Sequence, residues 1–273
     1  MIEPRDCVVV LPIYSLTLTS TELLSVRSNF QILSSWPQVV LAPESLSGKI
    51  EVELFRGISG SRNYIYLEDS HFASVTTYDN LLRKKWFYEL FAQFEFMLLI
   101  QTDVVVFTDD IAKWMEKGYS YIGAPWILKE GGQEKYEVGN GGLSLRRISD
   151  FINSFKFFFI LKSPTWYLKK VGLPRWTHFL FQYAFGFNRW VFLPKTHEDF
   201  FWSQLIPSGS EQFKVASLDD SFMFGIEMPP SWFRGEIENN PPFGLHAWEK
   251  YLTTSDQSKV FRFIQNNARV EYL

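Results

Sequence analysis

Residues 94–107, Phe-Glu-Phe-Met-Leu-Leu-Ile-Gln-Thr-Asp-Val-Val-Val-Phe, constrain the fold of this chain more than any other stretch. Met97 to Ile100 reads as a strand buried on both faces. Val104 to Phe107 reads as its continuation or as a short following strand. Between them, Gln101-Thr102-Asp103 sets a carboxylate at the end of a buried strand, which is costly unless something pairs with it. Two readings stand at this point. Asp103 is a solvated turn residue, or it faces a bound cation, since ligands collect at strand ends in α/β sheets.

The flanking chain supplies a sheet around that strand. Residues 7–14 read as a first buried strand that ends at a proline. Thr19 or Ser20 can cap a helix over about 22–33, where Leu23, Leu24, Val26 and Phe30 recur at roughly helical spacing. Residues 38–44 give a second short strand closed by Pro43. Strand, helix, strand at this spacing predicts a βαβ unit and a parallel sheet. Residues 50–55 alternate like a strand and 64–67 form another, with Gly57, Gly60 and Ser61 marking a loop between them. Leu81, Leu82, Trp86 and Leu90 predict a helix over 78–94, and 110–115 a short one. Residues 119–126 read as a strand ending at Pro125, and the polar 127–136 as a mobile loop. Residues 138–147 read as a turn leading into a short strand. The expected class is α/β, a mixed, mostly parallel central sheet flanked by helices, in one domain over 1–273. Its halves are about 1–110 and about 111–250, with 251–273 as a terminal helix or tail.

Composition closes off several functions. A net charge of −3 argues against a general nucleic-acid binder. The single cysteine, Cys7, allows no internal disulfide and suits a reducing compartment. Residues 1–6 show no cationic region followed by an apolar one, and no apolar run reaches the roughly 18 residues of a membrane span. The expected location is the cytoplasm. Aromatic residues make up 18% of the chain, with 10 Trp and 27 Phe, so some are expected on a binding surface. They concentrate in 155–195, beside Lys156, Lys162, Lys169, Lys170, Arg175, Arg189 and Lys195 and without any Asp or Glu. That segment reads as an aromatic helical insertion packed on the core. It reads equally as a peripheral membrane surface for anionic lipid, which salt-sensitive pelleting with anionic liposomes would reveal. No P-loop, G-x-S-x-G elbow or H-E-x-x-H helix occurs. Four histidines and one cysteine are too few for a zinc site of several such ligands.

Three further stretches are candidates for chemistry. Asn140-Gly141-Gly142 is a hairpin turn or a point of close backbone approach to a ligand. Thr196-His197-Glu198-Asp199 is a helix start with Thr196 as N-cap and Asp199 at N3, or a carboxylate placed as a general base. His246, in Pro-Pro-Phe-Gly-Leu-His-Ala-Trp, is a packed ring or the companion of a carboxylate on a Mn²⁺-like ion.

In this order the pieces resemble nucleotide-sugar-dependent glycosyltransferases of the GT-A fold, over about residues 6–250. Pro12, Ile13 and Tyr14 look like the start of the nucleotide-binding half, which the first 110 residues would form. Gln101-Thr102-Asp103 stands where such enzymes carry a D-x-D metal motif. Residues 121–126 and then 139–145 look like their glycine-rich donor and acceptor strand. His197-Glu198-Asp199 resembles the x-E-D motif of inverting members, and His246 a C-terminal metal ligand. The chain is also similar to an uncharacterised group of bacterial GT-A-like proteins found with polysaccharide genes. The motif order is similar to that of β-1,3-galactosyltransferases. One departure stands out: Gln101 replaces the first Asp, so Asp103 alone supplies a charged ligand from this motif.

The resemblance implies transfer from a nucleotide-diphosphate sugar to a glycan or polyprenyl-linked acceptor, in bacterial surface polysaccharide synthesis at the inner face of the plasma membrane. Asp103 and His246 would hold Mn²⁺ or Mg²⁺. Pro12, Ile13, Tyr14, Gln101, Thr102, Asp103, Asn140, Gly141 and Gly142 would bind the donor, and Trp126 and Trp202 would stack on acceptor sugars. Asp199 would be the base of an inverting reaction, with Glu198 orienting the acceptor or capping the helix instead. Two other classes remain open. Gln101 and the aromatic excess motivate a non-catalytic carbohydrate-binding protein, and Asp103, Asp199 and His246 a metal-dependent hydrolase.

Overall fold

The structure is a computed structural model that describes residues 6–56, 62–130, 133–155, 197–208, 210–230 and 241–267. In chain order, β1 (Cys7–Pro12), α1 (Ser20–Ile32), β2 (Gln38–Pro43), α2 (Ile50–Leu54) and β3 (Asn63–Leu67) come first. They lead through α3 (Val75–Leu81) and α4 (Lys85–Glu89) to β4 (Phe96–Ile100). Next are β5 (Val105–Val106), α5 (Ile111–Glu116), β6 (Tyr121–Gly123), β7 (Pro125–Glu130), β8 (Gln133–Val138), β9 (Leu143–Arg147) and α6 (Ile148–Ser154). The remainder comprises α7 (Glu198–Phe200), α8 (Leu218–Phe224), β10 (Gly225–Ile226), β11 (Gly244–Leu245), α9 (Trp248–Tyr251) and α10 (Thr254–Asn267).

β4 lies inside a six-stranded sheet of order β3-β2-β1-β4-β9-β6. β1 pairs parallel with β2 and with β4, and β2 parallel with β3. β9 runs antiparallel between β4 and β6. The sheet is therefore mixed and mostly parallel, as the sequence predicts. Val9, Leu11, Leu98 and Ile100 point into one apolar layer with Val26 and Phe30 of α1. Val8, Val10, Met97 and Leu99 point into another with Tyr88, Phe151 and Trp202. Burial on both faces is why these strands read as continuous apolar runs.

The residues after β4 are held by α1. Thr19 caps that helix in a reciprocal pair: its Oγ1 accepts from Glu22 N at 3.1 Å, and Glu22 Oε2 accepts from Thr19 N at 2.8 Å. Such a cap is worth about 1 kcal/mol. Glu22 Oε1 then accepts from Thr102 Oγ1 at 3.0 Å. Deeper in the helix, buried Asn29 donates to Val104 O at 2.7 Å and accepts from Val106 N at 2.9 Å. β5 thus becomes a separate short strand, paired antiparallel with β11. Asp103 sits on a turn clamped from both sides.

Several expectations need correction. Residues 50–54 form a helix, because Ile50 and Leu54 are buried one turn apart while Val52 faces solvent. The helix expected over 78–94 is two short ones. Between them the Leu82 carbonyl accepts from Tyr88 Oη at 2.8 Å and Trp202 Nε1 at 3.0 Å, so side chains take its place in the helical ladder. β6 stops at Gly123, before the expected end at Pro125, and Pro125 opens a new strand. The stretch read as a mobile loop is the β7–β8 hairpin, with Ile127 opposite Tyr136 and Trp126 opposite Glu137. Among the described residues no helix is long and apolar enough to cross a membrane. Apart from Phe155, the aromatic and basic segment 155–195 lies outside the described residues.

Candidate active site

A cleft of about 440 Å³ opens where β1 and β4 end. Tyr14 reaches it from the turn after β1, and Tyr78 and Asp79 from α3. Gln101 comes from the end of β4, Asn140, Gly141 and Gly142 from the turn before β9, and Trp126 from β7. His197, Glu198 and Asp199 at the start of α7 form another wall, with Glu227 and His246 nearby. Residues scattered over the whole described chain meet here.

Some expected residues do not reach it. Pro12 ends β1, and Ile13 is a fully buried core residue, so of the first three only Tyr14 offers surface. Thr102 faces Glu22 and α1, and Asp103 does not line the cleft but lies behind it, 3.4 Å from His246 Nε2. Trp202 is 0% exposed, packed on Tyr88 and Phe151, and cannot stack on a sugar. Its place at an aromatic run hid a core role, because an indole with a satisfied N–H buries more apolar area than most side chains. Trp126 does line the cleft, beside the Phe200 ring. Thr196 lies outside the described residues; His197 occupies the N-cap of α7, which puts Asp199 at its second position.

Glu198 is a buried ion-pair partner, not a cap. Arg146 of β9, fully buried, donates through Nη2 to Oε1 at 2.8 Å and through Nη1 to Oε2 at 3.0 Å. The guanidinium also donates to Tyr88 Oη and Ser144 Oγ, each at 3.0 Å. Burial opposes the Arg146 charge, but Glu198 and two tyrosines reverse this and hold it well above its ordinary value. Burial raises the Glu198 carboxyl, and the Arg146 guanidinium that clasps it offsets this. Gly141 is required beside it: a Cβ there would lie 1.9 Å from Glu198 Oε1. Gly142 is bare for the same kind of reason, since a Cβ would meet His246 Nε2 at 2.3 Å and Gln101 Oε1 at 2.8 Å. The paired glycines make room for the protein's own polar groups at the cleft floor.

Asp199 is the half-buried carboxylate of the group. Burial raises its proton affinity above the ordinary carboxylate range and Asp79 adds to this, while the N–H groups of Phe200 and Gly141 and the His197 ring pull it back. Such a carboxyl titrates closer to neutral pH, where a general base works best.

At the other end of the cleft, Asn140 adopts the left-handed conformation, with φ 63°. Its Oδ1 accepts from Gly142 N at 3.0 Å, and its Nδ2 lies 2.9 Å from His246 Nδ1. Glu227 Oε1 is 3.5 Å from the same nitrogen. His246 Nε2 lies 3.2 Å from Gln101 Oε1 and 3.4 Å from Asp103 Oδ1. Burial works against the imidazolium, but Asp103 and Glu227 outweigh it and raise its pKa from 6.5 to about 9. Asp103 Oδ1 is buried and accepts no hydrogen bond of good geometry. An orphaned carboxylate oxygen beside an imidazole suits a hard or borderline divalent cation. Among the described residues no group of three or more His, Cys, Asp or Glu could hold a metal ion.

The sequence reading passed over Asp79, Arg146, Glu22 and Glu227. Arg146 alone left a local trace, as the first of two arginines that close a short strand.

Comparisons with solved structures find matches at low identity. Mouse xyloside xylosyltransferase 1 in its apo form aligns with a TM-score of 0.45 and 10% identity, over 88% of this chain and 96% of that one. A 4-diphosphocytidyl-2C-methyl-D-erythritol synthase from Anaerococcus prevotii gives 0.37 and 6%, over 61% and 82%. HddC from Yersinia pseudotuberculosis gives 0.34 and 8%, over 54% and 79%. Likeness of this degree is silent about chemistry. No curated protein matches the chain in sequence. Residues 61–246 match the profile of a family described as "Protein of unknown function (DUF5672)", and the chain belongs to that family.

Proposed function

We propose that this protein is a glycosyltransferase of the GT-A kind. It moves a sugar from a nucleotide-diphosphate sugar to a hydroxyl of a glycan or lipid-linked glycan, with inversion, in the making of a bacterial surface polysaccharide. One observation carries the reading. The end of β4, the Asn140–Gly142 turn, His246 and the half-buried Asp199 converge on one cleft, as the resemblance implies they would.

Each part has a physical task. Asp103 and His246 would hold Mn²⁺ or Mg²⁺, the orphaned Asp103 oxygen supplying the anionic ligand and Glu227 steadying the far side of the ring. When bound, the cation neutralises the charge of the diphosphate leaving group. Gln101 offers a hydrogen-bonding amide to the donor in place of a second carboxylate. The Asn140–Gly142 backbone lets the donor approach closely, and Trp126 offers a ring face to an acceptor sugar. Asp199 takes the acceptor hydroxyl proton as that oxygen attacks the anomeric carbon.

Turnover tests the reading. Purified protein given a panel of nucleotide sugars, Mn²⁺ and oligosaccharide acceptors should release nucleoside diphosphate from one donor, and Asp103→Ala should abolish the release. Sugar binding without any release would leave the carbohydrate-binding reading in its place.

A further inference from the structure

The Asp79 carboxylate stands behind the turn that carries Asp199, although the two come from distant parts of the chain. Its Oδ2 accepts from His197 Nδ1 at 2.9 Å, a contact spanning 118 residues. The backbone N–H of Glu198 lies within reach of the same carboxylate. Asp79 is 13% exposed in its side chain while His197 is 70% exposed, so the pair runs from the cleft wall to solvent. α7 has no cap of its own: its N-cap residue is His197, whose side chain bonds no backbone N–H there. Asp79 belongs to α3, a helix fixed at its start by Ser74, whose Oγ accepts from Thr77 N at 3.2 Å.

We propose that Asp79 is the positioning residue of this site. From a neighbouring helix it holds His197, the N-cap residue of α7, in one orientation, and so fixes where Asp199 points. This rests on the reading of Asp199 as the base. The arrangement follows triad logic, in which a third group orients the one that acts on the substrate.

The electrostatics agree with the geometry. Asp79 pushes the Asp199 carboxyl up and His197 pulls it down. The other charged or titratable groups around them are accounted for. Glu198 is closed on Arg146. Arg83, between α3 and α4, acts on both Asp79 and Glu198. Tyr121 of β6 donates its hydroxyl to Asn140 O at 2.9 Å. Burial raises Asp79 itself, Glu198 adds to that, and the His197 contact offsets part of it.

Two substitutions separate positioning from scaffolding. Asp79→Asn keeps groups able to bond His197 and the Glu198 N–H but removes the charge. Removing a negative neighbour lowers the proton affinity of Asp199, and a base must be ionised to act. The acid limb of kcat/KM should therefore move to lower pH, with the melting temperature held. Asp79→Ala should lower kcat on the order of 100-fold with donor KM little changed, the cost of a base misplaced by about 1 Å. The deciding readout needs no turnover. In carboxyl ¹³C titration, the Asp199 signal, assigned by its loss in Asp199→Asn, should titrate at lower pH in Asp79→Asn than in wild type. A titration identical in wild type and Asp79→Asn overturns the proposal, whatever the rates. Failure of the underlying reading shows separately, as wild-type transfer by Asp199→Asn.

Discussion

Arg146→Met should lower the stability of this protein by about 3–5 kcal/mol, more than any other single change in the site. The reason is what it leaves behind. Glu198 has a side chain 5% exposed, and its oxygens take two hydrogen bonds from a guanidinium that is 0% exposed. Without that partner a buried carboxylate is left without compensation, which costs several kcal/mol. At about 2–4 °C per kcal/mol for a chain of this size, the melting temperature should fall by on the order of 10 °C. Urea unfolding should show a lower midpoint at unchanged slope, the mark of altered stability. The pair itself is not the source of stability. Arg146→Met with Glu198→Leu removes both charges together and should regain most of the loss. Tyr88 remains satisfied in that double variant, because its hydroxyl donates to Leu82 O. A single Arg146→Met variant within 1 kcal/mol of wild type would contradict the description of this pair.

Asp199→Asn should reduce kcat by about 10²–10⁴-fold, the range over which a positioned proton acceptor acts. The fold should survive, and the sign of the stability change follows from linkage. Burial raises the Asp199 carboxyl in the folded protein. Its protonated form therefore favours the fold, a contribution present below the unfolded titration and lost as pH rises through the folded one. At neutral pH the ionised side chain is a cost that asparagine escapes, so the variant should melt at the wild-type temperature or slightly above. Lost turnover with retained stability identifies a group needed for chemistry. The same raised carboxyl places the acid limb of the wild-type pH profile above the ordinary carboxylate range. Wild-type turnover in a folded Asp199→Asn protein would remove Asp199 from the mechanism.

The parts legible in the sequence are those that local chemistry decides. Doubly buried strands announce themselves as apolar runs, so β1, β2 and β4 and their parallel pairing follow from residues 7–44 and 94–107. Thr19 or Ser20 as a cap marks the start of α1, and Thr19 takes that place, with Glu22 closing the pair. Short elements failed where two periods fit the same residues: Ile50 to Phe55 alternates, yet Ile50 and Leu54 bury one helical turn apart. Polar residues disguised the β7–β8 hairpin, an antiparallel ribbon outside the central sheet.

The site was legible as a set of motifs and not as a set of partners. The order of the motifs singled out Gln101, Asn140, Gly141, Gly142, His246 and Asp199, which line one cleft, and Asp103, which lies beside His246 without lining it. Glu198 could not be assigned to Arg146, 52 residues away, nor Asp79 to His197, because nothing local fixes a contact across the fold. Trp202 shows the opposite error. Aromatic excess predicted a sugar platform, and this ring turned out to be core.

A cleft that takes a nucleoside diphosphate together with a divalent cation should be stabilised by both. Thermal unfolding with a panel of nucleoside diphosphates, each with and without Mn²⁺, tests it most directly. A ligand that binds only the folded state stabilises it by about 2.7 kcal/mol at a hundred times its dissociation constant. The melting temperature should rise with one nucleobase, more with Mn²⁺ than without, and should show no Mn²⁺ dependence in Asp103→Ala. A cooperative melt that no nucleotide moves, with or without the metal, would contradict it.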